Sequence, residues 1–177
     1  MAEFRELLNR KIRRLFLIVW PPLGEKKESD VDISFGFVFQ DDPQRLCVIS
    51  VDKNELWRPH IFYQPLPQNK YTWGDYYPKI KAWMDAEEDS YIAGSEYFDV
   101  TECELFEKIV NAEIVTIELI CIESDPDPFG IKIHFKNDYI ISTPISDGNT
   151  VETSQFNRNE NIELFRKIGK IEYKNIM

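Results

Sequence analysis

With 177 residues, 43% of them hydrophobic and 14% aromatic, the chain can fold as one domain around a core that needs no disulfide or metal. Its 31 acidic and 21 basic side chains leave a net charge of −10, which argues against general nucleic-acid binding, where a basic face is the usual electrostatic footprint. Three widely spaced cysteines, Cys47, Cys103 and Cys121, argue against a disulfide framework or zinc site, and the apolar run Leu15–Trp20 is far shorter than the ~20 residues that span a bilayer.

In chain order, residues 2–10 are predicted to form a short helix with Phe4, Leu7 and Leu8 on one side, and residues 12–20 a strand stopped by Pro21-Pro22. Glu3, Arg5 and Glu6 interrupt any early apolar run, so no signal peptide is expected and a cytoplasmic setting follows. Ile33–Gln40 and Leu46–Val51 form a predicted hairpin across Asp41-Asp42-Pro43. Residues 55–72 are rich in proline and aromatics, and the proline-rich loop at 59–67 is expected to pack on the sheet. Residues 76–88 make an amphipathic helix carrying Tyr77, Ile80 and Trp83, with Pro78 in its first turn, and Glu96–Val100 is a short strand.

Thr101-Glu102-Cys103-Glu104 reads as a capping box that starts a second helix, with Leu105, Phe106, Ile109 and Val110 as its stripe. From Ile114 the period changes to two, and Asp125-Pro126-Asp127-Pro128 reads as a loop. A hairpin of Ile131–Lys136 with Tyr139–Pro144 follows, then a turn at Asp147-Gly148 that calls for a positive φ at the glycine. Asn159–Ile168 is a helix with Asn159 as N-cap and Gly169 as its stop, and Lys170–Tyr173 a closing strand.

The order of these elements recurs. Phe4–Val19 lies over Phe106–Cys121 at a constant offset of 102 residues, with Asn9 on Asn111, Ile12 on Ile114, Leu17 on Leu119 and Ile18 on Ile120. The expected fold is therefore α+β: two repeated α-β-β-β units forming mainly antiparallel sheet with helices packed against it, in a single domain spanning 1–177. The internal repeat covers 2–54 and 104–149, with an insert at 55–100 and a C-terminal helix–strand at 159–174.

Catalytic motifs are sparse. The two histidines, His60 and His134, have no acid–base partner nearby in sequence, and neither is expected to be catalytic. No G-x-S-x-G, P-loop or dinucleotide fingerprint is present, and no cofactor is expected. Glu123, Asp125 and Asp127 offer hard oxygen ligands, as do Asp30 and Asp32, but without Ca-loop spacing they read as solvated acidic turns. Paired carboxylates of the glycosidase kind are a spatial matter and are not legible here.

The charge is uneven. Residues 1–20 hold five basic and two acidic side chains, while nine carboxylates and no Lys or Arg lie between Asp85 and Glu107. A solvated face explains most such runs. The aromatic company of this one, with Tyr71, Trp73, Tyr76 and Tyr77 upstream and Tyr91 and Tyr97 within, points to a protein interface. Its partner-binding residues are taken as Trp73, Tyr76, Tyr77, Asp85, Glu87, Glu88, Asp89 and Glu96, and its partner as a basic protein surface.

The segments His60–Pro67, Ser142–Thr153 and Ile168–Tyr173 resemble small acidic bacterial proteins that act as immunity partners of secreted polymorphic toxins. That resemblance implies a cytoplasmic, non-enzymatic inhibitor that masks a toxin's active site, and it implies no particular binding residues. Two other classes stand beside it: a small-ligand or enzyme domain with a pocket between the two repeats, lined by Trp57, His60 and Tyr63, and a structural or regulatory subunit of a cytosolic complex.

Overall fold

The structure, a computed structural model, describes residues 2–20, 31–51, 58–85, 94–123, 125–145 and 148–176. Among them the chain is strand-rich α+β, built on two mainly antiparallel sheets. Helix α1 (Ala2–Arg5) leads into β1 (Ile12–Trp20), which pairs antiparallel with β2 (Asp32–Phe39), and β3 (Asp42–Val51) and β4 (Pro59–Pro65) follow outward in turn. The chain returns through β5 (Tyr71–Thr72) and α2 (Tyr76–Asp85) to β6 (Glu96–Asp99) on the far side of β1. The first sheet runs β4-β3-β2-β1-β6-β5, and only β5 lies parallel to its neighbour.

The second sheet comprises β7 (Thr116–Ile122), β8 (Asp125–His134), β9 (Tyr139–Pro144), β10 (Asn149–Thr153) and, after α3 (Glu160–Ile168), β11 (Ile171–Asn175). Its order is β10-β9-β8-β7-β11. β1 and β7 thus hold corresponding inner positions, each between the strand that follows it and the strand that follows a helix.

β1 is buried on both faces, which is why it reads as a nearly unbroken apolar run rather than an alternation. Leu15, Leu17 and Val19 face the core between the sheets, and Phe16 and Ile18 pack on the other side with Val38, Leu46 and Val48. The inter-sheet core takes Phe35, Phe37 and Phe39 from β2 and Ile117, Leu119, Ile131 and Ile133 from the second sheet. Phe37 meets Phe135 edge-on at 6.0 Å between centroids.

The leading segments hold hydrogen bonds for each other instead of extending as helices. Asn9 N–H donates to the Ile114 carbonyl and Asn111 N–H to the Ile12 carbonyl, both at 2.9 Å. In return Ile12 N–H reaches the Ala112 carbonyl (2.9 Å) and Ile114 N–H the Arg10 carbonyl (3.1 Å). Asn9 and Asn111 both take positive φ, 64° and 62°, a conformation asparagine tolerates better than most residues. This crossing corrects the expected helices: 2–10 is helical only at Ala2–Arg5, and 101–110 holds a single 3-10 turn at Glu104–Phe106. The expected α-β-β-β unit is therefore not what is seen, since each sheet has at least five strands and helix content is low.

Four local expectations also change. The proline-rich loop 59–67 does not merely pack on the sheet, because 59–65 extends it as β4, with Pro59 and Pro65 at the strand's ends where the ladder tolerates them. Asp125–Pro128 starts β8 and is not a loop. Asn159 holds φ 64° at the start of α3 without capping through its side chain; its Oδ1 accepts from the Tyr139 hydroxyl (2.9 Å). Gly148 is required by close approach and not by a positive φ: a Cβ there would lie 2.4 Å from Asp32 Cβ, where Asp32 Oδ1 accepts the Asn149 N–H at 2.8 Å and ties β10 to β2. Gly148→Ala is accordingly expected to cost about 1–3 kcal/mol by thermal unfolding, whereas Gly74→Ala, whose nearest neighbour is 3.7 Å away, should stay within about 0.5 kcal/mol of wild type. Equal effects at the two positions would refute the close-approach explanation.

Among the described residues no helix is long and apolar enough to cross a membrane.

Candidate functional site

Helix α2 follows a 3-10 turn, Trp73–Asp75, whose Asp75 Oδ2 accepts the Thr72 N–H (2.8 Å) and hydroxyl (2.7 Å). That pins the start of the helix at Tyr76. The buried stripe is then Tyr76, Ile80 and Trp83, at i, i+4 and i+7, while Tyr77 points outward and is 56% exposed. The sequence stripe of Tyr77, Ile80 and Trp83 is corrected by one residue at its first position.

Trp73 stacks on Tyr76 at 4.9 Å and 18°, with Tyr77 edge-on at 5.4 Å. Behind them lie Phe98 of β6, Phe106 and Phe156, each within 6.2 Å of Tyr76 or Trp73. Of the three aromatics expected at an interface, Trp73 and Tyr76 anchor the packing of α2 and Tyr77 alone projects as a free edge.

The acidic run looks different once folded. Asp85 pairs with Lys81, Glu96 lies 3.9 Å from Lys79, and Asp99 pairs with Arg14. Asp99 also accepts the Thr101 hydroxyl at 2.6 Å and sits 3.9 Å from Lys70. Burial alone would raise its carboxyl, but these bonds outweigh it and hold the group below the ordinary carboxylate range. A stretch with no base in sequence is thus met by four bases in space. Glu102, Glu104 and Glu107 stay exposed, without an ion pair among the described residues. Glu87, Glu88 and Asp89 lie outside the described residues, as does Trp57.

Two carboxylates that the run did not include sit beside Tyr77. Between α2 and α3 is a cavity of about 260 Å³, with Tyr76, Tyr77, Phe156 and Leu164 on its walls and Glu152 and Glu160 in its lining. Glu152 is 0% exposed, and its two oxygens accept the Asn161 N–H (2.8 Å) and Ile162 N–H (3.2 Å) at the start of α3. Burial pushes its carboxyl up to about 7, against the pull of those two N–H groups, and Glu160 and Glu163 push it further. In sequence Glu152 follows Val151 as an outward residue of a strand. The phase is right, but no local signal says that α3 covers that face.

The other groove lies at the crossing of the two leading segments. It has a volume of about 980 Å³, is open to solvent, and is lined by Lys11, Lys108, Glu113, Val115, His134 and Lys136 among others. Here His134 Nε2 lies 2.6 Å from Glu118 Oε2, a partner sixteen residues away that local reading could not supply. His60 and Tyr63 do not line this groove: His60 stacks on Phe62 (6.0 Å, 28°), and the Tyr63 hydroxyl receives Arg10 at 3.2 Å. Among the described residues no group of three or more His, Cys, Asp or Glu is placed to hold a metal ion. Asp127 pairs instead with Arg58, and Glu123 with Lys170 at 2.8 Å. All three cysteines are buried and none is in a disulfide, and burial pushes the Cys47 thiol up to about 11.

No protein-family model, curated protein or solved structure matches the chain.

Proposed function

We propose that the chain is a non-enzymatic protein-binding module, internally duplicated, that neutralises a basic protein partner by covering its surface in the manner of an immunity protein. The observation that carries this reading is the exposed apolar edge of Tyr77 (56%) and Leu164 (53%) beside a cavity whose lining, among the described residues, holds two glutamates and no lysine, arginine or histidine. Aromatic anchors flanked by like-signed charge give an interface both affinity and steering. The net charge of −10 favours a basic partner in long-range encounter. The duplication draws support from the shared strand order of the two sheets and from the reciprocal hydrogen bonds at Asn9 and Asn111, residues 102 apart.

The test is capture and kinetics with the basic partner retained from the native host. Tyr77→Ala is expected to weaken binding at least about tenfold. Replacing Asp85, Glu87, Glu88 and Asp89 with Asn or Gln should slow association and flatten its salt dependence without altering the fold. If both variants bind like wild type, the interface lies elsewhere and the reading fails.

A second reading, a small-ligand domain, has the open groove with its His134–Glu118 pair behind it, because its volume is in the range of ligand sites. A small molecule whose binding is lost in His134→Ala but kept in Tyr77→Ala would favour it.

A further inference from the structure

We propose that the chain forms a twofold homodimer in which β11 of one copy pairs antiparallel, in one register, with β11 of a second copy, so that a single sheet runs through both.

The second sheet has an open edge at this strand. β11 is its last strand, and β7 is the one neighbour it pairs with among the described residues. The other sheet edges are closed in different ways. β10 is tied to β2 of the first sheet through Asn149 and Asp32, and β5 is two residues long. β4 begins and ends in proline, which has no N–H to offer. β11 contains no proline and pairs with β7 without a bulge from Ile171 to Asn175. Such an edge is a template for another strand.

The register follows from the hydrogen bonds. Glu123 N–H donates to the Lys170 carbonyl (2.9 Å), and Ile176 N–H to the Ile117 carbonyl (2.8 Å). Bonding alternates along an antiparallel strand, so the even-numbered residues bond to β7. Ile171, Tyr173 and Asn175 therefore turn N–H and C=O outward. With the twofold axis at Tyr173, Tyr173 pairs with Tyr173 of the second copy and Ile171 with its Asn175, all as hydrogen-bonded pairs. Glu172 then stands opposite Lys174 of the second copy, and Lys174 opposite its Glu172, in the non-hydrogen-bonded pairs whose Cα atoms come closest.

Glu172 and Lys174 both lie beside Cys121 of β7, on one face of the strand, so each meets its opposite directly. Sliding one copy by two residues sets Glu172 on Glu172 in one direction and Lys174 on Lys174 in the other. Opposite charges across a ladder stabilise it and like charges destabilise it, which selects the register between. Ile171 and Tyr173 pack on Ile120, Ile141 and Ile162 of their own copy and contribute backbone bonds to the interface.

Sedimentation equilibrium across the micromolar range is expected to show monomer and dimer in exchange. Physiological ionic strength is used, where repulsion between two chains of net charge −10 is screened. Amide exchange by NMR reads the register: the N–H groups of Ile171, Tyr173 and Asn175 should gain protection with concentration, while those of Glu172 and Lys174 are protected throughout. Lys174→Glu or Glu172→Lys alone should weaken the dimer about tenfold. The double variant Glu172→Lys/Lys174→Glu should restore it, and the two single variants, mixed, should pair with each other in preference to themselves. Asn175→Pro removes an outward N–H at an exposed position and none directed at β7. It should also weaken the dimer, and it keeps the test valid if a charge variant misfolds. A chain that stays monomeric, a dimer whose outward β11 amides gain no protection, a double variant no tighter than the single ones, or a dimer indifferent to Asn175→Pro overturns the proposal.

Discussion

Replacing Phe37 with alanine is expected to lower the unfolding free energy by about 3–5 kcal/mol. The ring is 0% exposed and sits where the two sheets meet. It has aromatic neighbours on its own strand, Phe35 at 5.2 Å and Phe39 at 5.9 Å, and one from the opposite sheet, Phe135 at 6.0 Å. Removing it deletes contacts on both sides of the sandwich, and flanking strands fixed by hydrogen bonds collapse poorly into the gap. A domain of this size holds about 5–15 kcal/mol in total, so the variant should approach the unfolding threshold. Urea unfolding would read the change as a shift in midpoint at constant slope. Phe62→Ala, on the β4 edge with a partly buried ring, should cost clearly less. A Phe37→Ala loss below about 1 kcal/mol would mean the two sheets do not share one core.

What sequence reveals and conceals about this fold follows from the range of the interactions. β1 and β7 are legible because long β-branched and aromatic runs bounded by prolines or turns have few alternatives as strands. β4, β5 and β10 are not, because a proline-bounded segment, a pair of residues and a five-residue stretch become strands only through neighbours far along the chain. The leading segments carry a helical stripe in sequence. Their amides are instead claimed across the molecule by Ile12 and Ile114, a long-range choice that overrides local propensity.

The candidate site divides the same way. Tyr76 and Tyr77 are adjacent, and which one is buried depends on where the helix starts, set by Asp75 capping back to Thr72. Counting from Tyr77 exchanges the buried ring for the exposed one. Arg14 and Lys70 reach Asp99 from elsewhere in the chain, so a run without bases is not a surface without bases. Glu152 lies outside the acidic run altogether, and only the placement of α3 over β10 brings it beside Tyr77.

Glu152 also makes the stability of the protein depend on pH in a direction opposite to the usual carboxylate. Its carboxyl stands at about 7 in the fold against 4.5 for the ordinary group, because burial disfavours its charged form. The folded protein holds this proton more tightly than the unfolded chain does. Its contribution is therefore fully present below about pH 4.5 and is lost as pH rises through about 7, a fall of up to about 3 kcal/mol. Asp41, Asp75 and Asp99 are shifted down, so their contributions change at the acid side of the ordinary carboxylate range, below the Glu152 window. Asp32, raised by burial against its bond from Asn149, acts in the same direction. Urea midpoints should fall steadily between pH 5 and pH 8. Glu152→Gln should flatten most of that fall while lowering stability at pH 5, because its amide turns an N–H group toward one of the two backbone donors it must now face. An equal slope in wild type and Glu152→Gln would show that the carboxyl is ionised throughout, held by the amides of α3 against its burial.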